Sequence, residues 1–122
     1  MNNIIESKKI LLINNKLRSL GLNSSLIGTK HINNVIQIII SSNNEFYYLE
    51  DIYLQLSSYY PSLIPNNIRN AIKYALDNRN ETLCKKNFKK IFDFEYDNIY
   101  FEPKNFIEEI ATIIKMDTIN KI

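Results

Sequence analysis

The sequence predicts an all-α protein, a compact bundle of about six helices. Three observations lead to that expectation. Apolar residues recur at three- and four-residue spacing through most of the 122 residues, as they do in helices with one buried face. Pro61, Pro65 and Pro103 fall where those stripes stop or start. Strict alternation of apolar and polar residues, the pattern of a half-buried strand, is confined to Phe92–Tyr96.

The elements follow in order. Asn3 and Glu6 stand at capping-box spacing, Ile10, Ile13, Leu17 and Leu20 share one face, and Gly21 can take the left-handed conformation that ends a helix. Thr29 is placed to cap a second helix, with Ile32, Val35, Ile36, Ile39 and Ile40 inward and Asn33, Asn34 and Gln37 on a polar face. A third helix carries Leu49, Ile52, Tyr53, Leu56 and Tyr59 and stops before Pro61, because the residue preceding proline is pushed out of helical geometry. Pro65 suits the first turn of a fourth helix, over about 65–77, where its missing N–H would have no partner anyway. Its inner stripe is Ile68, Ala71, Ile72, Ala75 and Leu76. Leu83, Cys84, Phe88, Ile91 and Phe92 set out a short fifth helix. The alternating stretch, with Asp97-Asn98 as a turn and Ile99-Tyr100-Phe101 beyond, predicts a small hairpin or an ordered loop near 92–102. Pro103 opens the last helix, with Phe106, Ile107, Ile110, Ala111 and Ile114 inward and Glu108, Glu109 and Lys115 outward.

Length and composition narrow the possibilities. A chain of 122 residues that is 45% apolar and 23% charged makes one folded domain, 1–122, with a core of its own and no disordered character. A single cysteine, Cys84, and a single histidine, His31, exclude a disulfide scaffold and a Cys/His zinc site. The most apolar run, Val35 to Ile40, is too short to span a bilayer, and no cleavable leader is legible, so a cytoplasmic protein with no membrane partner is expected. Enzymatic readings fit poorly, and no catalytic residue, metal or cofactor is expected. Gly21 and Gly28 do not make a phosphate-cradling loop. Cys84 lies on an inner stripe, and the adjacent Glu108 and Glu109 diverge by about 100° around a helix. His31, beside Lys30, could touch a phosphate, but reads first as a surface histidine without a role. The tyrosines are scattered, and most read as core or rim packing and not as a stacking platform.

The net charge of +2 is small, but its distribution is uneven. Arg69, Lys73, Arg79, Lys85, Lys86, Lys89 and Lys90 concentrate positive charge in 66–90, and 91–117 is acidic. The simplest account of such a run is a solvated helix face. The third and fourth helices suggest more. An amphipathic helix, a short connection between two prolines and a helix with an amide- and cation-rich outer face is the layout of a helix-turn-helix, whose second helix enters the major groove. On the fourth helix the period turns Asn66, Arg69, Asn70, Lys73 and Asp77 outward, with Asn67 at the edge. Asparagine can pair with adenine and arginine with guanine. Two packed helices of an ordinary bundle would present the same pattern.

The segment Leu20-Gly21-Leu22-Asn23-Ser24-Ser25-Leu26-Ile27-Gly28, followed by Ile32, Val35 and Ile36, resembles the C-terminal DNA-binding domain of the stage 0 sporulation protein A family. Ile52-Tyr53 with Leu56, Ser57 and Tyr60, the inner stripe Ile68 to Leu76, and Pro103, Asn105, Phe106-Ile107 and Ile110-Ala111 extend the resemblance over about 10–115. It implies a six-helix domain that binds promoter DNA and works with RNA polymerase, and suggests dimers on DNA. Where the family carries arginine, glutamate, arginine and arginine, this chain has Asn67, Arg69, Asn70 and Lys73, so the docking mode carries over better than the target sequence. The family joins this domain to a phosphorylatable receiver, of which these residues show none: either the receiver was removed from a longer protein or the protein is naturally short, and Met1 at a plausible start with no leftover linker leans toward the second.

The expectation is therefore a sporulation-related, sequence-specific regulator of transcription, without enzymatic activity. Asn66, Asn67, Arg69, Asn70 and Lys73 would face bases of double-stranded DNA, and Lys30, Arg79, Lys85, Lys86, Lys89 and Lys90 would hold phosphates. The alternative is a protein-interaction module that kept the fold and lost DNA readout, acting on a full-length regulator or on RNA polymerase.

Overall fold

A computed structural model describes residues 2–42, 47–60 and 62–120, with side chains between 7 and 117. Six α-helices and one 3-10 turn are present among these residues, and no strand: α1 Asn2–Ser19, α2 Ile27–Ser41, α3 Leu49–Ser58, α4 Pro65–Asp77, α5 Glu81–Phe92, the 3-10 turn Asn98–Phe101, and α6 Pro103–Asn120. This is the all-α bundle expected from the periodicity, with α3 and α4 in a helix-turn-helix-like arrangement.

The end of α1 is set by Gly21, whose φ of 87° is the left-handed conformation expected of it. Two bonds close the last turn, from the Leu22 N–H to the Leu17 carbonyl at 3.0 Å and from the Gly21 N–H to the Arg18 carbonyl at 2.9 Å. Leu17 and Leu22 are buried together with them, which makes a Schellman stop with its hydrophobic contact. The Gly21 carbonyl then accepts the Asn80 N–H at 2.8 Å, tying the end of α1 to the residue that caps α5. At the other end α1 already includes Asn2, so Asn3 lies inside the helix; its side chain and that of Glu6 fall outside the described residues.

Helix α2 is the centre of the bundle, packed against α1, α3, α4 and α6. A helix surrounded on several sides buries polar positions too, and two expectations change for that reason. Asn33, expected on a polar face, is buried between α1 and α2, where it donates to the Asn14 side chain at 2.6 Å and accepts from Gln37 at 2.6 Å. His31, expected at the surface, is buried, and its imidazole is held below its usual pKa by desolvation. Thr29 is not the cap of α2. The helix starts two residues earlier, with extended Leu26 before it, and the Thr29 hydroxyl is buried without a hydrogen-bond partner.

The rest of the core is close to the predicted stripes. Ile13, Leu17, Leu20, Ile32, Val35, Ile36, Ile68, Ile72, Leu76, Cys84, Phe88, Phe106, Ile110 and Ile114 are buried, and full burial of one such side chain is worth about 1.5–3 kcal/mol. Stripe edges account for the exceptions. Ile10, Tyr59 and Leu83, all expected inward, are exposed, because each is the terminal or flanking member of a stripe whose middle residues already fill the interface.

The alternating stretch is an ordered loop. Asp93 takes a left-handed φ of 64° at the end of α5, and the Asp97 carboxylate accepts the Ile99 N–H at 3.1 Å to start the 3-10 turn. The alternation is real, but it serves an aromatic cluster in place of a ladder. Phe94 and Tyr96 are drawn towards Phe88, with Phe88–Phe92 centroids 4.6 Å apart and Phe94–Tyr100 centroids 4.5 Å apart.

Candidate nucleic-acid interface

Two close approaches fix α4 on the bundle. Gly28, in the first turn of α2, lies against the α4 backbone: a Cβ there would sit 1.9 Å from the Ala71 carbonyl oxygen and 2.9 Å from the Ala75 Cβ. On the α3 side, the Ser57 hydroxyl donates to the Leu63 carbonyl, and the Leu63 N–H bonds to the Tyr60 carbonyl at 2.9 Å, which folds the connection tightly before extended Ile64 and Pro65 at the start of α4. Ile68, Ile72, Ala75 and Leu76 are buried, so the opposite face of α4 is outward.

That face carries Asn66, Asn67, Asn70, Lys73, Tyr74 and Asp77, all exposed. The α6 acids Glu108 and Glu109 do not cover it; they are half-buried themselves, with Glu108 close enough to Tyr47 to help raise its phenol. Asn67 and Asn70 have no side-chain hydrogen bond among the described residues. Lys73 lies 3.8 Å from Asp77, a loose exposed pair worth about 0–1 kcal/mol. Tyr74, 58% exposed, belongs to this face and was not legible as such, because a lone tyrosine at a helical position reads as packing.

Arg69 is placed differently from its neighbours. It is half-buried at the edge facing α3, where its Nε donates to Glu50 Oε1 at 2.8 Å and its Nη2 to Glu50 Oε2 at 2.5 Å, while Nη1 donates to Asn66 Oδ1 at 2.6 Å. This two-pronged pairing holds the Glu50 carboxyl below its usual pKa. Glu50 gave no signal in the sequence, since its partner is 19 residues away on another helix.

Apart from Arg79, the cations expected to hold phosphates divide into three groups. Lys86 and Lys90 are exposed and have no partner among the described residues, so they are the freest charges on α5. Lys85 and Lys89 are exposed but paired, Lys85 at 4.0 Å from Glu81 and Lys89 at 2.9 Å from Glu95. Lys30 is exposed on α2, turned about 200° around that helix from the Gly28 surface that meets α4.

Arg79 departs from the expected role. Its side chain is only 9% exposed. It donates to the Leu76 carbonyl at 2.8 Å, the Tyr96 hydroxyl at 2.9 Å and Asn98 Oδ1 at 2.7 Å, and its guanidinium lies 4.0 Å above the Phe101 ring. These groups stitch the end of α4 to the loop after α5, so Arg79 is a structural residue here and not a surface cation. A planar fork that can hydrogen-bond in several directions while stacking on an aromatic ring is what this position needs.

Burial pushes the Cys84 thiol up and the His31 imidazole down, the opposite of an activated thiolate–imidazolium pair. Among the described residues no cluster of His, Cys, Asp and Glu could hold a metal ion, and no helix is long and apolar enough to cross a membrane.

Tyr53, on the inner face of α3, is buried with an unpartnered hydroxyl, and burial with help from Glu50 pushes its phenol up to about 12; Tyr47 is likewise at about 12. A tyrosine in an unfolded chain titrates near 10. The folded state therefore holds these protons more tightly, so its stability is intact below pH 10 and falls as pH rises towards 12. The urea midpoint should decline over that interval, less steeply in Tyr53→Phe. At neutral pH the same substitution should leave stability unchanged or raise it by up to about 1 kcal/mol, because it removes a buried donor that satisfies nothing. A clear loss at neutral pH would mean the hydroxyl is hydrogen-bonded.

Compared with protein-family models, curated proteins and solved structures, the chain matches none.

Proposed function

We propose that the protein is a sequence-specific DNA-binding regulator of transcription that docks α4 in the major groove. The observation that supports this best is the outward face of α4, on which Asn66, Asn67, Asn70 and Lys73 are exposed while the opposite face is locked against α2 through Gly28. A rigid helix with an amide-rich face can read base edges, because side-chain amides offer a donor and an acceptor together. In this reading Asn67 and Asn70 favour adenine-containing sites, and Lys86 and Lys90 lead the phosphate contacts, with Lys85, Lys89 and Lys30 adding to them. The sporulation role, the work with RNA polymerase and the pairing of copies on DNA rest on the resemblance in residues quoted above.

Selection of duplexes from a random pool, followed by salt titration of the selected sequence, tests the reading. Affinity should fall by about 0.9 log units per log unit of salt for each phosphate neutralised. Asn70→Ala should lower affinity for the selected site by roughly 1–3 kcal/mol and relax preference at one base pair. Lys86→Ala with Lys90→Ala should weaken all duplexes alike and flatten the salt slope. If no duplex binds at low salt, or if Arg69→Ala and Lys73→Ala leave affinity unchanged, the protein-interaction reading takes its place.

A further inference from the structure

We propose that Glu50, on α3, is a specificity-determining residue: it holds the Arg69 fork in the free protein and competes with DNA for it. This rests on the DNA-binding reading. Both carboxylate oxygens face Arg69, at 2.8 and 2.5 Å, and a third donor of the same guanidinium is on Asn66 at 2.6 Å. Two of the residues expected to face bases are therefore joined to each other and to a helix outside the reading face.

The chemistry of the competition follows from charge. A carboxylate and a phosphate are both anionic acceptors able to take two N–H groups side by side. Exchanging one for the other gains little, so on a random duplex Arg69 stays with Glu50 and adds no phosphate contact. The exposed pair is also weak enough to be given up: its two side chains are 44% and 56% exposed. A guanine edge correctly placed in the groove offers a geometrically matched double acceptor, which draws Arg69 out only at the right sequence.

Glu50→Gln removes the anion while keeping the side chain's shape. Because it also adds one unit of positive charge, Asp51→Asn is the matched control: Asp51 is the next residue, is exposed and shares the acidic first turn of α3. Binding of a random-sequence duplex at low salt is measured for wild type, Glu50→Gln, Asp51→Asn, Arg69→Ala and the Glu50→Gln/Arg69→Ala pair, with circular dichroism to check folding. Glu50→Gln should raise affinity about fivefold and steepen the salt slope by about 0.9, one added phosphate, while Asp51→Asn changes affinity less than twofold. In the Arg69→Ala background, Glu50→Gln should do no more than Asp51→Asn. The role of Glu50 is overturned, with DNA binding left standing, if wild type binds but Glu50→Gln matches Asp51→Asn or keeps its effect without Arg69. Absence of binding by every variant overturns both readings.

Discussion

Replacing Gly28 with alanine should destabilise the protein by roughly 3 kcal/mol, the upper range for forcing an extra methyl into a packed interface. Helix propensity alone predicts the reverse sign, since alanine is about 1 kcal/mol better than glycine inside a helix. The structural reason is the distance: the new Cβ would lie 1.9 Å from the Ala71 carbonyl oxygen, and that neighbour is backbone, which cannot rotate aside. Either α2 or α4 has to move by more than an ångström. Urea unfolding of wild type and Gly28→Ala measures the effect, and a stabilised variant would show that α2 and α4 are further apart than described. Because the same contact sets the height of α4 above the core, the variant should also lose duplex affinity at temperatures where it is still folded.

Arg79→Lys should cost roughly 3 kcal/mol although it preserves charge, because an ammonium cannot replace a fork that serves the Leu76 carbonyl, Tyr96 and Asn98 while lying over Phe101. For a domain of this size that corresponds to a melting temperature lower by about 10 °C. The contrast with Lys86→Ala separates two roles for a cation. Lys86 is exposed and has no partner among the described residues, so its removal should leave the melting temperature within a degree or two and flatten the salt dependence of duplex binding. Arg79→Lys should lower the melting temperature and leave that slope alone. A mild thermal effect for Arg79→Lys together with a reduced slope would return Arg79 to the phosphate-contacting set.

These two substitutions mark where the sequence was informative and where it was not. The left-handed stop at Gly21, the proline at the start of α4 and the inner stripe of Ile68, Ile72, Ala75 and Leu76 were all legible, because each depends on the residue itself or on neighbours one or two turns away. The outward set on α4 followed from the same period. Asn33 and Arg79 were misplaced for one shared reason. A polar side chain near a helix surface reads as solvated unless its partner is known, and here the partners are Asn14 on another helix and Tyr96, Asn98 and Phe101 in a loop. Tyr74 was missed in the opposite direction, as a residue read for packing that is 58% exposed on the candidate interface.

By itself the sequence determined the number of helices, most of their ends and the main apolar stripe of each, since that stripe repeats with the helical period; how much of the remaining surface of α2 is covered depended on the helices around it. Tertiary structure alone decided which cations remain available to a ligand. Lys86 and Lys90 have no partner among the described residues, Arg69 is held by Glu50, and Arg79 is enclosed, although all four are simply cations in the chain. The physical reason is that a hydrogen bond depends on angle and on distances of a few tenths of an ångström between groups far apart in sequence, and only packing brings those groups into register.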